Sequence, residues 1–212
     1  MIFLTGPHNS GKTTMAKKLA DDGFIHVETG DVVRKKYKDD NIGDNFEKWA
    51  IEKNKEDLNY FDKIIVEAIN LAIKARKDQG MLFGDVVITG NRQLSGIKYL
   101  IRNVKNLKGH DNIIIYLEVP EEKLYQRQLD RKDRKIAGLT HSKFKNEHLG
   151  FDNKMGLQEI KKMADYIIDA DKPIGEVLAG ITKILNEIGC EIKRSLTEKE
   201  VKNPYETSRK NR

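Results

Sequence analysis

The stretch that decides the fold is Gly6-Pro7-His8-Asn9-Ser10-Gly11-Lys12-Thr13, near the start of a chain of 212 residues. It matches G-x-x-x-x-G-K-[ST], the loop that cradles the phosphates of nucleoside triphosphates. The apolar run Ile2–Thr5 precedes the loop, and residues 14–21 follow it with the apolar spacing of a helix. Because a strand before the loop and a helix after it are the setting that the motif requires, the sequence predicts a P-loop.

The residue types in this loop fit the binding of Mg·ATP. Gly6 and Gly11 allow the chain to curl, so that backbone N–H groups and the start of the next helix point at phosphate oxygens. We expect Lys12 to hold the β- and γ-phosphates and Thr13 to offer its hydroxyl to Mg²⁺. Thr14 is expected on the α-phosphate side, and His8 is interpreted as a spacer. The other loop residues expected at the ATP site are Pro7, His8, Asn9 and Ser10.

Five short apolar runs alternate with helical patterns along the chain. They are Ile2–Thr5, Ile25–Glu28, residues 85–89, Ile113–Glu118 and Tyr166–Asp169. This alternation predicts the α/β class, a three-layer P-loop fold in which helices flank a five-stranded parallel sheet. Right-handed crossovers bring the carboxyl ends of the strands to one edge, where ligands bind. Residues 61–79 and 174–188 have the clearest helical periodicity.

Composition limits the classes of function. The single cysteine excludes an intrachain disulfide and favours the cytoplasm, and no apolar run is long enough to cross a membrane. The net charge is +6, but residues 193–212 carry seven Lys/Arg against three Asp/Glu, so most of the excess lies in this tail. We therefore favour a solvated tail over a nucleic-acid-binding arm.

The segment Thr29-Gly30-Asp31-Val32-Val33-Arg34 follows the second apolar run. It resembles the acceptor-binding segment of the nucleoside monophosphate kinase superfamily, in particular adenylate kinases and the related dephospho-coenzyme A kinases. The resemblance implies that Thr29 and Gly30 line the acceptor pocket and that Arg34 grips the acceptor phosphate. Asp31 would be a base or a group beside the metal. From the residues alone, Asp31 could equally cap an ordinary helix.

A second stretch, Thr89-Gly90-Asn91-Arg92, follows the third run and is similar to the Asp-Gly-x-Arg of the same superfamily. The resemblance implies that Arg92 is a further ligand of the acceptor phosphate. Thr89 departs from the pattern, because the family has an aspartate here that holds a Mg²⁺-bound water. The departure leaves the source of that carboxylate open.

Three arginines follow the fourth run. Arg127 and Arg131 are four residues apart, so they share one helix face, and Arg134 continues it. The resemblance implies that Arg127 lies near the ATP base, while Arg131 and Arg134 on a closing lid reach the transferring phosphoryl group. Taken alone, the run could also be the solvated face of a helix.

These observations predict one kinase domain over residues 1–190, with an acceptor-binding insert at about 31–60 and a lid at about 132–154, followed by a basic, flexible tail over 191–212. The predicted reaction is transfer of the γ-phosphoryl group from Mg·ATP to a small nucleotide-like acceptor, with a nucleoside monophosphate preferred. Dephospho-coenzyme A, a nucleic-acid end and a non-catalytic nucleotide switch remain as alternatives. The predicted catalytic residues are Lys12, Asp31, Arg92, Arg131 and Arg134.

Overall fold

The computed structural model describes residues 1–40, 45–79, 85–104, 112–131 and 138–190. Its strands are β1 (Ile2–Thr5), β2 (Ile25–Glu28), β3 (Val86–Thr89), β4 (Ile113–Glu118) and β5 (Tyr166–Asp169). They form one parallel sheet in the order β2-β3-β1-β4-β5. The predicted five-stranded parallel sheet flanked by helices is therefore confirmed, with the third strand beginning one residue later than the sequence indicates.

Helices fill the connections between the strands. They are α1 (Lys12–Asp21), α2 (Thr29–Asp39), α3 (Phe46–Glu56), α4 (Tyr60–Asp78), α5 (Leu94–Asn103), α6 (Glu121–Asp130), α7 (His141–Phe144), α8 (Gly150–Lys154), α9 (Leu157–Lys162) and α10 (Ile174–Glu187), with a π-helical segment, Lys145–Leu149, between α7 and α8. Within the described ranges no helix is both long enough and apolar enough to cross a bilayer.

The sheet is covered on both faces because neighbouring strand residues point in opposite directions. Ile2 and Leu4 pack toward α1 and α10, whereas Phe3 packs toward α4 and α5. All three side chains are buried, as expected for a strand at the centre of a parallel sheet. This layering brings the carboxyl ends of β1, β2 and β3 to the same edge as the P-loop.

The segment predicted as an acceptor-binding insert, at about residues 31–60, contains the helix α3. Trp49 fixes this helix, since its side chain is 2% exposed. Its ring centroid lies 5.3 Å from that of Tyr37 on α2 and 5.6 Å from that of Phe61 on α4. Three segments thus share one aromatic cluster, which explains why a sequence with few apolar residues forms a helix here.

The opposite edge of the sheet is closed by the end of the described chain. Cys190 is 2% exposed, and its Sγ donates a hydrogen bond to Asp85 Oδ2 over 2.9 Å. Burial and the neighbouring carboxylate raise the pKa of the Cys190 thiol to about 12. Two earlier predictions, Arg134 on the lid and the basic tail at 191–212, lie outside the described residues.

Candidate active site at the carboxyl edge of the sheet

The P-loop has the backbone that its sequence predicts. Gly6 and Gly11 have φ angles of +140° and +93°, which L side chains rarely adopt. A Cβ on Gly6 would lie 2.5 Å from the Leu117 carbonyl oxygen, so the loop passes directly over β4. Gly11 is also the N-cap of α1 and has no side chain to cap it, so the first N–H groups of the helix are available to phosphate.

Lys12 folds back over this loop. Its Nζ donates hydrogen bonds to the carbonyl oxygens of Gly6 at 2.9 Å and Pro7 at 2.6 Å. Burial, followed by the nearby positive charge of Arg92, lowers the pKa of Lys12 to about 8. A bound triphosphate would place negative charge beside this ammonium group and so favour its charged form.

Glu28, the last residue of β2, is a site residue that the sequence reasoning missed. Its Oε2 accepts hydrogen bonds from Thr13 Oγ1 at 3.0 Å and from Thr89 Oγ1 at 2.8 Å. The strand register explains the meeting, because Glu28 is paired with Thr89 on the neighbouring strand β3. A carboxylate from the neighbouring strand therefore lies beside position 89.

Gly90 makes room for this carboxylate. A Cβ on Gly90 would lie 2.1 Å from Glu28 Oε1 and 2.7 Å from Thr29 Oγ1, and its φ is +87°. Both the space and the backbone conformation therefore require glycine here. The sequence does show a glycine directly after β3, but it does not indicate that Glu28 lies beside this glycine.

Thr13 and Glu28 have the oxygen donors that suit Mg²⁺. Their Oγ1 and Oε2 atoms are 3.0 Å apart beside the phosphate loop. Mg²⁺ usually binds one or two protein oxygens and completes its octahedron with phosphates and water. Within the described ranges no group of three His, Cys, Asp or Glu side chains forms a metal cluster.

His8 occupies a more connected position than the spacer role predicted for it. Its Nδ1 lies 3.0 Å from each carboxylate oxygen of Asp152 on α8, and its backbone N–H donates to Asp152 Oδ2 at 2.8 Å. Its Nε2 lies 3.0 Å from Arg92 Nη2. Arg92 Nε in turn lies 3.3 Å from Asp152 Oδ1, so the three side chains form a closed network. Asp152 is 1% exposed and was not identified from the sequence.

Arg127 and Arg131 converge on Asn9 of the P-loop. Arg127 donates to the Asn9 carbonyl at 3.3 Å and to the Ala170 carbonyl at 2.7 Å, which joins the loop to the turn after β5. Arg131 donates to Asn9 Oδ1 at 3.0 Å. Both arginines therefore lie at the P-loop, next to the place where the sequence puts the nucleotide.

The segment after β2 forms the start of α2. Arg34 pairs with Asp31 at 2.6 Å on an exposed turn, and its guanidinium lies over Gly30. Thr29 is buried, with its hydroxyl beside Gly90. The structure thus brings Thr29 to the Glu28 corner of the site and leaves Asp31 and Arg34 together at its rim.

A cavity of about 420 Å³ adjoins the network on the side of β4 and α8. Pro7 and Asp152 form part of its wall, together with Tyr116 from β4. Lysine and glutamate side chains both line it, namely Lys145, Lys161, Glu118 and Glu121. The cavity provides room for a small polar ligand beside the P-loop.

The chain is similar in sequence to known proteins. A family model described as AAA domain matches residues 5–141. The UPF0200 protein of Saccharolobus islandicus strain L.S.2.15 is 30% identical over 180 residues, which are 81% of this chain and 84% of that protein. An adenylate kinase of Prochlorococcus marinus is 29% identical over 136 residues, which are 63% of this chain and 70% of that enzyme.

The fold is also similar to that of solved kinases. A shikimate kinase from Acinetobacter baumannii in complex with shikimate superposes with a TM-score of 0.55 at 20% identity, over 90% of this chain and 94% of that chain. A shikimate kinase from Bacteroides thetaiotaomicron gives a TM-score of 0.55 at 14% identity, over 88% and 96%. At these identities the likeness concerns the fold.

Proposed function

We propose that this chain, which belongs to the UPF0200 family, transfers the γ-phosphoryl group of ATP to a small, anionic, nucleotide-like acceptor. The AAA domain model spans residues 5–141, and the chain belongs to the P-loop small-molecule kinase superfamily. Mg²⁺ would neutralise charge on the β- and γ-phosphates when bound at Thr13 and Glu28. Lys12 and the loop N–H groups would hold the same phosphates.

One observation carries this proposal: Glu28 and Arg92 converge on the P-loop from the ends of neighbouring strands. Glu28 accepts from Thr13, and Arg92 reaches His8 inside the loop. A carboxylate for the metal and a guanidinium for an anionic acceptor are the two groups that phosphoryl transfer needs beside a P-loop. Arg127 and Arg131 would add positive charge from the nucleotide side.

The non-catalytic switch is the alternative from another class. Its main support in the sequence is Thr89 in place of the usual aspartate. The hydrogen bond from Thr89 to Glu28 weakens that support, because a carboxylate is present at the same corner. The switch is therefore the less favoured interpretation.

The test is ADP release from Mg·ATP across a panel of acceptors. The panel contains ribo- and deoxynucleoside monophosphates, dephospho-coenzyme A, nucleosides, a 5′-hydroxyl oligonucleotide and shikimate, the ligand of the Acinetobacter enzyme. We expect turnover that depends on an acceptor and that Lys12→Ala abolishes. Lys17→Ala is the matched control, since Lys17 is exposed on the same helix and should leave the rate unchanged.

Two results would oppose the proposal. ATP binding without turnover on any acceptor would favour the nucleotide switch. Turnover that persists in Lys12→Ala would mean that the measured activity does not come from this P-loop. Loss of turnover with the oligonucleotide alone, on deleting residues 193–212, would instead point to the nucleic-acid alternative.

A further inference from the structure

His8 is held as a rigid dyad with Asp152 at the centre of the candidate active site. Both the ring Nδ1 and the backbone N–H of His8 meet the Asp152 carboxylate, at 3.0 Å and 2.8 Å. Asp152 is 1% exposed, so its orientation is fixed by packing as well as by these bonds. Two bonds between the same residues leave the imidazole a single orientation, with Nε2 directed away from Asp152.

The partner of Nε2 determines the tautomer. Arg92 Nη2 lies 3.0 Å from Nε2, and a guanidinium can only donate hydrogen bonds. Nε2 must therefore accept, which assigns its lone pair to this nitrogen and the single ring proton to Nδ1, facing Asp152. A neutral histidine with a carboxylate behind Nδ1 and a lone pair at Nε2 is arranged to take up a proton.

The surroundings of His8, burial above all, favour the neutral ring. Burial is the largest influence and lowers the pKa of His8; Arg92 and Lys12 lower it further, while Asp152 raises it. His148 of the π-helical segment also faces His8, with ring centroids 5.2 Å apart. The net direction is downward, so the ring is unprotonated near neutral pH and available as a base.

Such a base is informative about the acceptor. A phosphate oxygen that attacks ATP is already an anion and needs no base, whereas a hydroxyl must lose its proton during attack. We propose that His8 is the general base of the reaction, with Asp152 as its positioning residue, and that the acceptor reacts through a hydroxyl group. This inference rests on the proposed function and narrows its substrate class to an anionic hydroxyl compound.

The acceptor hydroxyl takes the place of Arg92 at His8 Nε2, and the freed guanidinium turns to the anionic group of the acceptor. As the acceptor oxygen bonds to the γ-phosphorus, its proton passes to Nε2, and the bond from phosphorus to the β,γ-bridging oxygen breaks with its electron pair on ADP. The imidazolium, stabilised by Asp152, then releases the proton to solvent.

Asp31 is the base that the sequence suggested, and its surroundings differ. It pairs with Arg34 at 2.6 Å, and 36% of its side chain is exposed. The ion pair with Arg34 occupies the Asp31 carboxylate at the rim of the site, whereas His8 directs Nε2 toward Arg92 beside the P-loop. His8 lies within the P-loop itself, where the γ-phosphate is bound.

The experiment combines His8→Gln and Asp152→Asn with the acceptor panel and a pH profile. For a hydroxyl acceptor, His8→Gln should lower kcat by about 10²–10⁴-fold, with little change in KM for ATP, and should remove the acidic limb of the profile. Asp152→Asn should move that limb to lower pH, because Asp152 raises the pKa of His8. His141→Gln, a change on α7 outside the network, is the matched control and should leave kcat and its profile unchanged.

Several results would overturn the inference. Turnover only with monophosphates, giving a phosphoanhydride by ³¹P NMR, would leave the proposed function standing and remove the hydroxyl acceptor. No turnover with any acceptor would remove both. In ¹⁵N NMR of the ligand-free protein we expect a neutral His8 with its proton on Nδ1 at neutral pH; an imidazolium or a proton on Nε2 would exclude the assigned base.

Discussion

Thr89 Oγ1 donates a hydrogen bond to Glu28 Oε2 over 2.8 Å, across the register pair that joins the ends of β3 and β2. His26 Nε2 lies 2.7 Å from the same Thr89 hydroxyl. Thr89 therefore orients the carboxylate rather than replacing it. The carboxylate at this corner therefore comes from position 28 at the end of β2, whereas the family pattern places it at position 89 at the end of β3.

Glu28→Gln should impair metal use without unfolding the protein. The amide keeps an oxygen that can accept from Thr13 and Thr89, but it removes the negative charge beside Mg²⁺. We expect half-maximal turnover to need more Mg²⁺ and kcat to fall by about 10–100-fold. Mg²⁺ titrations at saturating ATP measure both effects. Glu67→Gln, on an exposed position of α4, is the control, and equal losses in the two variants would contradict a metal role for Glu28.

Gly90→Ala should both destabilise the fold and displace Glu28. A Cβ would lie 2.1 Å from Glu28 Oε1 at a residue whose φ is +87°. Holding a non-glycine residue in this region costs about 1–3 kcal/mol. Denaturant unfolding measures this loss, and the Mg²⁺ requirement should rise as in Glu28→Gln.

The matched control for that change is Gly180→Ala in α10. A Cβ there has open space, and alanine favours a helix interior by about 0.5–1 kcal/mol. We therefore expect opposite signs for the two glycine substitutions. A Gly90→Ala variant as stable as the parent would show that the corner tolerates a side chain.

ATP binding should take up a proton above neutral pH. Lys12 has a pKa of about 8 in the free protein, and bound phosphates should restore the ordinary, higher value. Near pH 8.5 the free lysine is mostly neutral, so binding should take up roughly 0.7 proton, and affinity should fall as pH rises. Calorimetry in buffers with different ionisation enthalpies measures the uptake. Uptake that remains in Lys12→Met would assign the proton to another group.

Arg127 and Arg34 should affect different substrates. Arg127 bridges Asn9 and Ala170 at the nucleotide side, whereas Arg34 lies on α2 over Gly30. We expect Arg127→Ala to raise KM for ATP and Arg34→Ala to raise KM for the acceptor, each by about 10-fold or more, as for loss of a charge-assisted hydrogen bond. Initial rates with one substrate varied at a time separate the effects. If Arg34→Ala changed only KM for ATP, the result would contradict the prediction that Arg34 binds the acceptor.

The fluorescence of Trp49 should respond to acceptor binding. It is the only tryptophan of the chain, and its ring contacts Tyr37 and Phe61 from the two helices around α3. If this segment closes over the acceptor, acceptor binding should change the fluorescence of Trp49, and Mg·ATP alone should change it little. A response to Mg·ATP alone would argue against residues 31–60 as the acceptor insert.

Much of the fold could be predicted because it depends on local patterns. The bounds of β1, β2, β4 and β5 match the apolar runs, since strands of a buried parallel sheet are continuous apolar segments. The helix α3 was missed because its stability comes from aromatic rings contributed by α2 and α4. A helix that is stabilised mainly by packing against neighbouring helices shows only weak hydrophobic periodicity in its own sequence.

The candidate site could be predicted only where a motif is contiguous. The P-loop was found because its parts are adjacent in the chain. Asp152 was missed because 144 residues separate it from His8, and no spacing rule connects them. Glu28 was missed for a different reason: its role depends on the register between β2 and β3, which assembles only in the folded sheet.

The buried thiol at the far edge of the sheet has a practical consequence. Cys190 is the only cysteine of the chain, and its high pKa and burial keep it as an unreactive thiol near neutral pH. Maleimide dyes should therefore not label the native protein. They should react with cysteines introduced at exposed positions, such as one on α3 and one on α8. The protein can thus carry a donor and acceptor fluorophore pair without removal of its own cysteine, and single-molecule distances could follow both flanks of the site during turnover.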